Sequence, residues 1–69
     1  MPIYYAVENQ ELTIKRITGT DKIKTHLSNL GFIIGETITL VTKIDENVIV
    51  KLNGVSLAIS SDMAKRILV

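Results

Sequence analysis

Apolar and polar positions alternate most regularly on either side of Asn53-Gly54, a dipeptide that favours a type I′ turn because both central residues take positive φ. With that pair as the loop, Leu52 falls opposite Val55, Val50 opposite Leu57 and Val48 opposite Ile59, six apolar residues on one face. Lys51 with Ser56 and Ile49 with Ala58 take the other face. A slip of one residue would turn the whole apolar set to the wrong side, so the pattern predicts the register as well as the hairpin.

Upstream, Glu36 to Ile44 also reads with period two: Ile38, Leu40, Thr42 and Ile44 on one face, Thr37, Thr39, Val41 and Lys43 on the other. Asp45-Glu46-Asn47 supplies a polar turn into the next strand, so three consecutive antiparallel strands are expected between Glu36 and Ser60. Leu12 to Ile17 reads as an earlier strand whose phase breaks at Arg16-Ile17, the place for a bulge or a strand end. The spacing then changes. Ile23, Leu27 and Leu30 follow one another at i, i+4 and i+7, a narrow helical stripe. Thr20 stands where an N-cap is needed, and Asp21 puts a carboxylate at the positive end of the helix dipole. Gly31 is placed for the left-handed residue after the helix, with Phe32 next, able to pack back on Leu27. A second, shorter turn is expected over Asp62 to Lys65, capped by Ser61, before Ile67-Leu68-Val69 returns to the sheet and closes it against the first strand. These elements predict an all-β fold (β-rich with one short helix), a small SH3-like barrel of about five strands, because closure removes unpaired sheet edges.

Composition agrees with that picture and trims the functional choices. The 69 residues have room for one domain, and the apolar 46% is mostly Ile, Val and Leu, with only 4% aromatic residues. β-branched side chains suit a pleated, half-buried surface. The absence of cysteine removes a disulfide framework and thiolate metal sites. Eight basic and seven acidic residues are interspersed, leaving no cationic block for nucleic acid or an anionic membrane. The segment MPIYYAVENQ lacks the charged and apolar regions of a signal peptide. No run approaches the ~18 apolar residues of a membrane span. A soluble, cytoplasmic protein is expected.

Two motifs carry a family likeness. Leu27-Ser28-Asn29-Leu30-Gly31-Phe32-Ile33-Ile34-Gly35 resembles the L-x-x-L-G-hydrophobic-x-x-G motif of FeoA (ferrous iron transport protein A) domains. Gly54-Val55-Ser56-Leu57-Ala58-Ile59, followed by Ala64 and by Ile67-Leu68-Val69, is similar to their closing pattern. The resemblance covers roughly Glu11 to Val69 and implies an SH3-like barrel serving bacterial ferrous iron uptake. It also implies a partner, the cytosolic nucleotide-binding region of the FeoB membrane transporter, and hence a place at the inner face of the membrane. Two departures stand out: Asn9 replaces the usual glycine of an early turn and can itself adopt positive φ, and the Asp45-Glu46-Asn47 loop is short.

Candidate chemistry is sparse. His26, the one histidine, has Lys22, Ile23, Asn29 and Leu30 at its helical neighbours, so no carboxylate stands beside it to complete a metal site. The serines have no histidine partner by motif, Asp45 and Glu46 fit a solvated turn, and Gly31, Gly35 and Gly54 are too scattered for a phosphate loop. No enzymatic activity, cofactor or recognisable metal site is expected, which leaves room only for weak binding of Fe2+ or another divalent metal. The residues the fold does not evidently need are apolar. Tyr4 and Tyr5 lie in a terminal segment without a strand partner, and Phe32, Ile33 and Ile34 lie around the loop before Gly35. They either plug an open barrel end or form a patch for a partner or a second copy. The alternatives are a nucleic-acid-binding KOW-type module, which would need a basic face, and a metal-sensing domain related to the C-terminal domain of iron-dependent repressors.

Overall fold

The computed structural model describes residues 1–69. After a 3-10 turn at Ile3–Tyr5 come β1 (Glu11–Thr13), β2 (Arg16–Ile17), α1 (Asp21–Asn29), β3 (Thr37–Ile44), β4 (Asn47–Leu52), β5 (Val55–Ser60), α2 (Ser61–Ala64) and β6 (Ile67–Leu68). β1, β3, β4 and β5 form an antiparallel sheet in the order β1-β3-β4-β5, and β2 pairs with β6 in a second. The expected Leu12–Ile17 strand is therefore two strands. The chain changes partner at Ile14 and Lys15: the Ile14 N–H donates to the Glu36 carbonyl at 2.9 Å and the Lys15 N–H to Leu68 at 2.8 Å. That change of partner joins the sheets around one core, with the β5 edge left unpaired.

The β4–β5 hairpin has the register its sequence predicts, Leu52↔Val55, Val50↔Leu57 and Val48↔Ile59, with Asn53 at φ 50 and Gly54 at φ 85. Burial along it is uneven. Val48, Val50, Leu52 and Ile59 are buried and Leu57 half-buried, whereas Val55 is 64% exposed, because it sits at the edge of the sheet with nothing beyond it. In β3 the alternation fails half-way. Leu40 pairs with Val50, but Thr42 pairs with Ile49, leaving Val41 as an extra residue in a bulge. A bulge reverses the facing of everything after it. Lys43 consequently takes the place opposite Val48, and Ile44 turns to the outer face, 54% exposed.

Helix α1 begins and ends as its residues dictate. The Thr20 side chain accepts from the Ile23 N–H at 3.3 Å. At the other end Gly31, at φ 103, donates to Ser28 and Phe32 donates to Leu27, the two bonds of a Schellman motif. A Cβ on Gly31 would lie 3.2 Å from the Leu52 side chain as well as straining the backbone. The stripe meets the core at its middle: Leu27 is fully buried, Ile23 half-buried and Leu30 44% exposed. Leu30 caps the helix rather than extending its packing face. α2 starts one residue earlier than expected, with Ser60 as its cap, its hydroxyl accepting from Met63. The amino-terminal segment is held more firmly than its sequence suggests. Pro2 bridges Leu68, the Val69 N–H donates to Met1, and Ile3 and Ala6 join the core.

Candidate partner-binding surface

The five apolar candidates fall into two separate settings. Phe32 is 1% exposed and belongs to the core beside Leu27. Full burial of such a side chain contributes about 1.5–3 kcal/mol, which the fold would forfeit if the ring swung out to a partner. Its role is structural, as the second residue of the helix stop.

Ile33 and Ile34 do reach solvent, at 50% and 65% exposure, and the backbone holds them there. The Glu36 N–H donates back to the Ile33 carbonyl at 3.0 Å, closing a turn with Ile34 at its corner and Gly35 at φ 97. A turn of this form needs positive φ at its third residue, which glycine supplies without strain. Gly35 and Glu36 are in turn fastened to Ile14 from both sides, by N–H bonds at 2.8 and 2.9 Å. The turn tip is thus pinned to the strand junction, and Ile34 cannot fold inward without breaking it. Beside the turn lies an open groove of about 440 Å³, floored by Phe32 and Ile17, with Arg16 and Lys24 among its lining residues. It is an apolar strip with a cationic margin, suited to a protein surface that is apolar at its centre and acidic at its rim.

Tyr4 and Tyr5 lie instead against β3. Their rings meet edge to face, 5.0 Å between centroids, and the Lys43 Nζ stands 4.1 Å from the Tyr4 ring centre. Lys65 approaches the same ring at 4.8 Å. Tyr4 is half-buried and engaged by these ammonium groups, while Tyr5 is 60% exposed. Val7, 70% exposed, continues this surface past Ala6 towards Thr42 and Lys43. The sequence reading missed Lys43, Lys65, Arg16 and Lys24. Lys43 joins a surface through the β3 bulge, Lys65 through the packing of α2 on the 3-10 turn, and Arg16 and Lys24 because β2 and α1 line one groove, none of which leaves a local signature. His26 is exposed, and no three His, Asp or Glu side chains gather anywhere into a cation site. No helix is long and apolar enough to cross a membrane.

Six short strands in two sheets around one core, with a capped helix inserted after the second strand, define a small SH3-like β-barrel. The FeoA domain family matches the chain over residues 1–69, and the protein belongs to that family, which is associated with ferrous iron transport. An iron uptake regulatory protein (FeoA) of known crystal structure is similar over 97% of this chain and 91% of its own, at 22% identity and a TM-score of 0.86. FeoA of Stenotrophomonas maltophilia, crystallised with zinc and described as an SH3 domain protein, is 23% identical over 99% of this chain and 87% of its own, with a TM-score of 0.82. A manganese-dependent transcriptional repressor carries the same fold in 39% of its length, aligned to 97% of this chain at 11% identity and a TM-score of 0.86. No curated protein sequence matches the chain significantly.

Proposed function

We propose that this protein is a non-enzymatic accessory of bacterial ferrous iron uptake, acting in the cytoplasm by contact with the nucleotide-binding region of a FeoB-type membrane transporter. The observation that carries the reading is the match to the FeoA domain over residues 1–69. The S. maltophilia relative is itself described as a candidate ferrous iron transport activating factor. The surface supports a docking role: Ile33 and Ile34 are apolar, solvent-exposed and fixed by backbone bonds, so ordering them costs a partner little. The reading requires no bound cofactor.

Titration of the full chain against the transporter's cytosolic region, in each nucleotide state, tests it. Binding is expected, and Ile34→Asp should weaken it by about tenfold or more, as loss of an apolar anchor does. Ile44→Asp, on the outer face of the sheet, should leave it intact. Absence of binding in every nucleotide state rejects the proposal.

A further inference from the structure

The two edges of the four-stranded sheet are built differently. β1 is three residues long and carries Glu11. β5 runs six residues, Val-Ser-Leu-Ala-Ile-Ser, without a charge or a proline, and it pairs on one side only. Sheets ordinarily blunt such an edge with a charge, a proline, a bulge or a cover, and β5 shows none of these along its length.

The ladder fixes which backbone groups are free. Leu52↔Val55 closes the two-residue turn, and the Ser61 N–H donates to the Glu46 carbonyl at 2.9 Å, in phase with it. Val55, Leu57 and Ile59 therefore direct their N–H and C=O groups towards β4, while Ser56 and Ala58 direct theirs to solvent. Both side chains there are small and exposed, so neither obstructs a strand laid alongside. On the core side of the same edge, Val55 is 64% exposed and Leu57 only half-buried.

We propose that this edge pairs with the β5 edge of a second copy of the chain, antiparallel about a two-fold axis beside Leu57. The sequence is close to a palindrome about that residue. Val55 comes opposite Ile59 of the other copy, Leu57 opposite its counterpart, and Ser56 opposite Ala58. Each Ser56–Ala58 pair exchanges both backbone bonds, satisfying the groups that face solvent in the monomer. The exposed Val55 and half-buried Leu57 gain apolar neighbours, and the neutral strand opposes no like charges. A closed two-fold contact of this kind is self-limiting, since each copy spends its one free β5 edge.

Sedimentation and amide hydrogen exchange of the full chain, from micromolar to millimolar concentration, test the pairing. A dimer is expected, with the Ser56 and Ala58 amides becoming protected as it forms. Ala58→Pro removes a donor that points away from β4, so the hairpin ladder survives while the dimer is lost at every concentration. Ser56→Lys should give the same result by placing a charge on the edge, and carries the test if the proline variant does not fold. A wild-type chain that stays monomeric to millimolar concentration overturns the proposal. So does a dimer that persists in a folded variant, or protection of Ser56 and Ala58 that arises only when the transporter's cytosolic region is added.

Discussion

The two hairpins of the four-stranded sheet share β4 and differ in how their registers are set. In β4–β5, Asn53 and Gly54 hold the positive φ values the turn needs, and every pair from Leu52↔Val55 to Asn47↔Ser60 follows without interruption. In β3–β4 the turn is Asp45-Glu46, with Asp45 alone at positive φ, and the register shifts at Val41. One hairpin takes its register from turn chemistry. The other departs from a regular ladder, with Ile38 and Leu40 buried near one end and Lys43 set against Tyr4 near the other. The extra residue lets one strand accommodate both, at the cost of exposing Ile44.

The widest test of this contrast compares two apolar residues of β3 on opposite sides of the bulge. Leu40→Ala should cost about 2–5 kcal/mol in urea denaturation, since the residue is fully buried and its removal leaves a cavity. Ile44→Ala should cost no more than about 0.5 kcal/mol, as expected of a surface position. Similar losses at the two sites would mean that β3 is regular in solution. The turns offer a smaller contrast. Gly54→Ala puts a side chain at φ 85, where no neighbouring atom lies within 4 Å, so the cost is purely conformational, about 1–2 kcal/mol. Asp45→Gly relieves the positive φ of the other turn while adding chain entropy to the unfolded state, and the midpoint should scarcely move. The smallest effect concerns what the bulge aims. Lys43→Ala should lose about 0.5–1 kcal/mol with the contact to Tyr4 and change the tyrosine fluorescence. Lys51→Ala, exposed in the regular hairpin, should change neither signal.

The same contrast runs through the candidate surface. Ile33 and Ile34 stand out in the sequence because two large apolar residues precede a glycine, and the turn at Gly35 does keep them in solvent. Phe32, one residue earlier, reads alike in a list of apolar residues yet is buried, because the helix stop directs it back onto Leu27. Tyr4 and Tyr5 are nearly as alike in sequence, but the 3-10 turn half-buries Tyr4 against Lys43 and Lys65 and leaves Tyr5 exposed. Neighbouring residues of one chemical kind thus part company once the backbone bends.

Features whose causes lie within a few residues are legible in the amino-acid order. These are the Asn53-Gly54 hairpin and its register, the Thr20 cap and the Gly31 stop. Each follows from a φ preference, a side-chain acceptor or a short-period pattern, all of them local. The break between β1 and β2, the bulge at Val41, the exposure of Leu30 and Val55, and the gathering of Arg16 and Lys24 beside Ile33 and Ile34 arise only in the assembled fold. Those depend on which surfaces meet. An apolar residue is buried only if another element arrives to cover it, and a strand keeps its phase only while one partner can satisfy it along its whole length.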